Sequence, residues 1–321
     1  MLGPISLPIA YGVSIFTLFV LLGLLASDYL TPNLTYLAAL FHLDEKMAGI
    51  TLLALANGAP DISSTYAAMR SNSTSLAIGE LLGSANFELT MVIGCMALVK
   101  PFTVQYSNVL KDLVIFAVLI LLSLMFLSDG KITLVESILM LGLTYKLTLS
   151  DSLKFGHFYL SIFEPVSSIA GFISVLDLIS KSAFIIVAIL KDVAATYNIK
   201  ESLLGITVLS LGNSIGDLIT NVTLASLGLS LTGLHACFGS PLLYILFGVG
   251  FNSLIVRLTN SGEPIHFEID SNLKVTAYSI LFTLLFYMIA IPAMGWKVNR
   301  FIGSVVVLIW VSVTAYNAYN G

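Results

Sequence analysis

Hydrophobic and polar positions are segregated along this chain into long blocks. Ten continuous apolar runs fall at about 5–27, 46–69, 75–98, 107–127, 131–149, 166–192, 202–226, 232–256, 272–293 and 298–318. A bilayer core needs roughly 20 apolar residues per helix, which is the length of these runs. Turn-forming segments separate them, among them Thr31-Pro32-Asn33, Arg70-Ser71-Asn72, Asp129-Gly130-Lys131 and Asn260-Ser261-Gly262-Glu263-Pro264. The runs are apolar at every position rather than at alternate ones, so a membrane β-barrel is excluded. The pattern predicts an all-α polytopic membrane protein of about ten transmembrane helices.

Composition agrees. Of 321 residues, 57% are hydrophobic and only 10% charged, and the formal net charge is −4. A soluble domain carries about 25% charged residues, so a soluble globule, a disordered chain and a nucleic-acid binder are all excluded. Cys95 and Cys237 lie inside apolar runs and form no disulfide framework. The first run is too long for a signal-peptide core and lacks a basic leader, so it is expected to remain as a span. Basic residues in alternate loops balance, which leaves orientation open. A multi-pass integral membrane protein follows, with the lipid bilayer as its partner; the plasma, a mitochondrial or another organellar membrane would each serve.

Internal repetition is the strongest signal. The segment from Gly49 to Asp61 aligns with the segment from Gly205 to Asp217, an offset of 156 residues, with seven of thirteen pairs identical. The same offset pairs Gly83-Ser84 with Gly239-Ser240 and Gly94 with Gly250. Five runs per copy is an odd number, so the second copy enters the membrane from the opposite side. The expected organisation is an N-terminal repeat over 1–150, with its duplicated core near 46–98. A short connection over 151–165 leads to a C-terminal repeat over 166–321, with its core near 202–256. Inverted repeats of this kind place a binding site near the bilayer midplane, where interrupted helices meet.

The duplicated polar residues suggest what would bind there. Asp61 and Asp217 sit inside apolar runs, where a charge costs at least about 2.5–3.5 kcal/mol unless it faces a cavity and has a partner. Asn57 and Asn213 each precede the aspartate by four residues and share its helix face. Pro60 is expected to kink its helix and free carbonyls near Ala54 to Ala56, and Gly212 and Gly216 to loosen the matching one. Carboxylate, amide and carbonyl oxygens are the ligands of hard cations. The neighbouring runs add Ser84 with Glu88, and Ser240 with Tyr244, each pair at i, i+4. Carboxylates at Asp61, Asp217 and Glu88 repel one another unless a cation or a proton lies between them. Glu88 has a second reading, as a carboxyl bonded to Tyr244. Gly79, Gly83, Gly248 and Gly250 would let these helices approach closely.

Asn57-Gly58-Ala59-Pro60-Asp61 and Gly212-Asn213-Ser214-Ile215-Gly216-Asp217 resemble the α-repeats of the cation/Ca²⁺ exchanger superfamily. The resemblance is to its cation/calcium exchanger branch, that of the mitochondrial sodium(lithium)/calcium exchanger. It implies secondary antiport of Ca²⁺ against Na⁺, Li⁺, K⁺ or H⁺ by alternating access, with these inorganic cations as transported partners and no cofactor. It also implies a ligand set of Asn57, Gly58, Asp61, Ser84 and Glu88 in the first half, and Asn213, Ser214, Asp217 and Ser240 in the second, with backbone carbonyls at Ala54 and Ser210. Aspartate stands at 61 and 217 where many relatives have glutamate, and Tyr244 where a small amide or carboxylate is common.

Weaker signals read as structural. Asp177 and Lys181 should pair with each other at i, i+4. Glu263, His266, Glu268 and Asp270 form a solvated acidic loop, and His235 with Cys237 lacks the further ligands a metal needs. Two other functions compete with calcium antiport. One is a K⁺/H⁺-type antiporter, or a non-transporting regulator, on the same fold, suggested by Glu88 and Tyr244. The other is an intramembrane aspartyl protease, although the chain reads Ser214-Ile215-Gly216-Asp217 where such enzymes have Gly-x-Gly-Asp.

Overall fold

The computed structural model describes residues 6–30, 33, 54–104, 106–149, 163–259 and 264–320. Ten helical elements follow one another among the described residues. They are α1 Ser6–Leu24, α2 Ala54–Arg70, α3 Thr74–Val99, α4 Tyr106–Leu127 and α5 Leu134–Leu149, then α6 Phe163–Tyr197, α7 Glu201–Ser226, α8 Ser230–Thr259, α9 Ser271–Ala293 and α10 Arg300–Asn320. Each expected run contains one of them. Among the described residues seven segments are long and apolar enough to cross a membrane: α1 with its extension to Leu30, α3 and α6 to α10. In α4 and α5 the apolar stretch is shorter, Leu113–Leu127 and Leu134–Thr144. For α2, the first part of the run, 46–53, lies outside the described residues.

The turns reproduce the repeat. After α2, the Ser73 amide donates to the Ala68 carbonyl across Asn72, which has φ 57°; after α7, the Leu229 amide donates to the Leu224 carbonyl across Gly228, at φ 92°. Both are left-handed helix caps of the Schellman kind, where glycine or asparagine is favoured because a Cβ is tolerated poorly. Every residue of the second cap lies 156 positions beyond its counterpart in the first.

Packing repeats it too. α3 packs along α10 and α8 along α5, while α1 lies against α6 and α4 against α9. Four two-residue strands tie the loops: β1 Phe102–Thr103, β2 Lys131–Ile132, β3 Ile265–His266 and β4 Lys297–Val298. β1 pairs antiparallel with β4, and β2 with β3. The α3–α4 loop thus pairs with the α9–α10 loop, and the α4–α5 loop with the α8–α9 loop. Exchanging the two halves of the chain turns one pair into the other.

At the centre lie α2, α3, α7 and α8. α3 is the most enclosed candidate span, 78% buried over its apolar window, whereas α10 at 22% lies on the outside. Outward-facing side chains such as Phe16, Ile219 and Leu308 are exposed and apolar, as a lipid-facing surface requires. Glycines bring α3 onto α7. A Cβ on Gly79 would lie 2.5 Å from the Ser202 carbonyl oxygen, one on Gly83 2.6 Å from that of Ile206, and one on Gly205 2.3 Å from that of Leu76. Any larger residue would push the helices apart. Of the expected pair in α8, Gly250 makes such an approach, 3.0 Å to the Ser137 carbonyl oxygen, while Gly248 has only ordinary contacts.

α2 continues as an α-helix through Pro60, and α7 through Gly212 and Gly216. Among the described residues the departures from α geometry are π-helical segments elsewhere: Leu25–Leu30 after α1, Glu88–Val92 in α3, Gly205–Leu209 in α7 and Leu243–Gly248 in α8. Those of α3 and α8 again match at the 156 offset. Gly212 serves a contact rather than a break, since a Cβ there would meet the Phe19 ring of α1 at 2.2 Å.

Candidate functional site

Asp61 is carried by α2 into the centre of the bundle, where it is 1% exposed. The Ser84 hydroxyl of α3 donates to its Oδ1 at 3.0 Å. Glu88, one turn further along α3 and 1% exposed, accepts from the Tyr244 hydroxyl of α8 at 3.4 Å. Asp217 on α7 is half-buried. Asp61, Glu88 and Asp217 are close enough for their charges to act on one another. Among the described residues the one ion pair is Lys181–Asp177, at 2.6 Å on the exposed surface, so these core carboxylates have no basic partner.

The remaining sequence candidates divide. Gly58, Ser210, Ser214 and Ser240 are buried at the same centre. The Ser210 hydroxyl donates back to the Ile206 carbonyl of its own helix. Ser214 Oγ and Asn213 Oδ1 are buried without a hydrogen-bond partner among the described residues. Ala54 and Asn57 belong to α2, but their side chains lie outside the described residues. The second reading of Glu88 is met by the Tyr244 contact.

One residue was missed. Glu80 lies on α3, one turn before Ser84, and is fully buried. It accepts a hydrogen bond from the Asn213 amide nitrogen at 2.6 Å, a second from Ser64, and a longer one from Thr65 at 3.5 Å. It also feels the charge of Asp61. Glu80, Ser84 and Glu88 form an i, i+4, i+8 stripe, a spacing that sequence alone displays.

The weaker signals resolve as structure. Asp270 caps α9, accepting from the Leu273 amide at 3.0 Å and from the Ser202 hydroxyl. His235 is exposed and Cys237 buried, so they point apart, while Glu263 lies outside the described residues. Among the described residues no three His, Cys, Asp or Glu side chains gather into a metal-holding group. The donors gathered at this centre are carboxylate, hydroxyl and amide oxygens. Such donors suit Na⁺ and Ca²⁺ and not soft transition metals.

A helical bundle that faces lipid outside and gathers unpaired carboxylates and free oxygen acceptors inside defines a multi-pass membrane transporter. The model of the family described as sodium/calcium exchanger protein matches residues 11–145 and 167–319, and the chain belongs to that family. Its members are transporters, not catalysts. A putative cation exchanger of Saccharomyces cerevisiae is 36% identical over 162 residues, 46% of this chain and 21% of that protein. The mitochondrial sodium/calcium exchanger protein of Rattus norvegicus is 36% identical over 144 residues, 44% of this chain and 25% of that one. The aligned part thus spans a quarter or less of these relatives. Solved structures of the sodium-calcium exchanger NCX_Mj match with TM-scores of 0.62 and 0.63 at 19% and 20% identity, covering 95% of this chain and 98% of that one. At that identity the likeness concerns the fold.

Proposed function

We propose that this protein is a secondary antiporter exchanging Ca²⁺ for a monovalent cation, Na⁺, Li⁺, K⁺ or H⁺, by alternating access. Its ion site is built from Asn57, Gly58, Asp61, Ser84 and Glu88 of one repeat, and Asn213, Ser214, Asp217 and Ser240 of the other, with carbonyls of Ala54 and Ser210. The observation that carries the reading is the duplicated aspartate. Asp61 and Asp217 repeat at one offset and lie within reach of each other's charge, and among the described residues neither is ion-paired to a basic side chain. Cations are what such a centre lacks.

The division into an N-terminal repeat (1–150), a connection (151–165) and a C-terminal repeat (166–321) belongs to the same proposal. Paired caps, paired π segments and exchanged strand pairs support it. Two halves related in this way can rock about a fixed midplane site, which is how alternating access is achieved. The test is ⁴⁵Ca²⁺ uptake by liposomes holding the purified chain under an imposed Na⁺ or proton gradient. Uptake is expected, and Asp61→Asn or Asp217→Asn should stop it; undiminished flux in both variants would refute the site.

A second reading is a K⁺/H⁺-type antiporter or a non-transporting regulator. The Glu88–Tyr244 contact favours it, because it occupies a carboxylate that calcium would otherwise use. Competition among K⁺, Na⁺, Li⁺ and Ca²⁺ in the same liposomes separates the two. Membership of a transporter family leaves the aspartyl protease reading without support.

A further inference from the structure

Asn213 is the ligand candidate whose geometry is most tightly determined, and the determinant is Glu80. The Asn213 amide nitrogen donates toward two neighbouring acceptors, Glu80 Oε1 at 2.6 Å and Ser64 Oγ at 3.0 Å. Asp61 is a weaker, longer-range partner of the same nitrogen. With Glu80 ionised, its oxygens only accept, and the end of the amide that faces it is the nitrogen. Oδ1 is then turned to the other side, where it is buried with no hydrogen-bond partner among the described residues. The adjacent Ser214 Oγ is likewise buried and unpartnered. Two such oxygens on successive residues of one helix, beside buried carboxylates, are acceptors that a cation would satisfy.

Glu80 is itself held rigidly. Its backbone nitrogen would lie 2.8 Å from a Cβ on Gly205, so α3 rests directly on α7 at this level. Its carboxylate meanwhile reaches Ser64 and Thr65 on α2. One side chain therefore ties together three central helices drawn from both halves of the chain. It has no duplicate, since Ala236 stands at the position 156 residues on.

We infer that Glu80 is a positioning residue that locks the Asn213 amide with its oxygen free for the transported cation. This rests on the proposed ion site and adds to it the group that sets its polarity. A flipped amide would offer two protons to the cation in place of an oxygen. Apparent affinity falls as the fraction of molecules with the competent orientation falls.

The experiment compares Glu80→Gln, Glu80→Asp and Glu80→Leu in reconstituted full-length chain, measuring apparent KM for Ca²⁺ and maximal flux separately. Gln keeps the length and an accepting carbonyl oxygen, so at least about half the amides keep the right orientation and KM rises about twofold. Asp keeps the charge but withdraws the acceptor by about one carbon–carbon bond, ~1.5 Å, beyond hydrogen-bonding distance of Asn213. KM should then rise about tenfold or more in Glu80→Asp and Glu80→Leu, with maximal flux changed far less. The order Gln near wild type and Asp impaired is the signature of positioning. The reverse order would show that charge matters instead, and wild-type affinity in Glu80→Leu would also overturn the inference. If Glu80→Leu is not recovered as a monodisperse protein, the Gln/Asp comparison decides alone. Flux that stops in Asp61→Asn and Asp217→Asn while all Glu80 variants keep wild-type KM overturns the role of Glu80 and leaves the ion site standing.

Discussion

Replacing Gly83 by alanine tests the close approach on which the centre of the bundle depends. The new Cβ would lie 2.6 Å from the Ile206 carbonyl oxygen, 2.7 Å from Ser210 Oγ and 2.8 Å from Ile206 Cα. Carbon–oxygen contacts between packed backbones settle at about 3.3–3.6 Å, so α3 and α7 must separate by roughly 0.7 Å. Two of the three obstacles are backbone atoms, which cannot swing away as a long side chain could. Overpacking of this kind costs about 1–3 kcal/mol, and the backbone contacts place it toward the upper end. Ser84 is the next residue, and its 3.0 Å bond to Asp61 moves with the helix. The variant should therefore lose both thermal stability, read by intrinsic fluorescence in detergent, and Ca²⁺ flux in liposomes. Gly142→Ala in α5 is the control. A Cβ there meets nothing within 4 Å, and alanine in a helix interior gains about 0.5–1 kcal/mol over glycine. A Gly83→Ala protein as stable and as active as Gly142→Ala would refute the claim that α3–α7 spacing is constrained.

Three further outcomes follow from single contacts. Ser84→Ala removes the hydroxyl bonded to Asp61, and a hydrogen bond to a charged group is worth about 1.5–3 kcal/mol, so apparent Ca²⁺ affinity should fall about tenfold or more in concentration-dependent uptake. Tyr244→Phe releases Glu88 from its one hydroxyl donor at 3.4 Å and should shift the ranking of Ca²⁺ against K⁺ and Na⁺ in competition assays, with little change in stability. Asp270→Ala removes the cap of α9 and the partner of Ser202, lowering stability by about 1–2 kcal/mol in thermal melts while leaving apparent Ca²⁺ affinity unchanged.

Much of the fold was legible because lipid imposes a simple rule: every helix that crosses must be apolar for about 20 residues. The runs accordingly coincide with helices, down to the short turns at Asn72 and Gly228. Asp61 and Asp217 stood out as candidates because duplication at one offset separates a polar residue in an apolar run from chance. Glu80 escaped for the same reason, since Ala236 at the matching position gives it no duplicate. Its helical spacing from Ser84 and Glu88 was the signal available. The π segments of α3, α7 and α8 arise where helices cross at glycines and buried serines. That is a property of tertiary packing which no local pattern displays.

The central claim is that Asp61 and Asp217 jointly hold the transported cation. It is tested most directly by gradient-driven ⁴⁵Ca²⁺ flux in liposomes containing wild type, Asp61→Asn or Asp217→Asn, each shown to be monodisperse before reconstitution. The account predicts flux in the wild type and its loss in either variant, because the two carboxylates come from different halves of the chain and neither replaces the other. Flux at wild-type rate in both variants would contradict it.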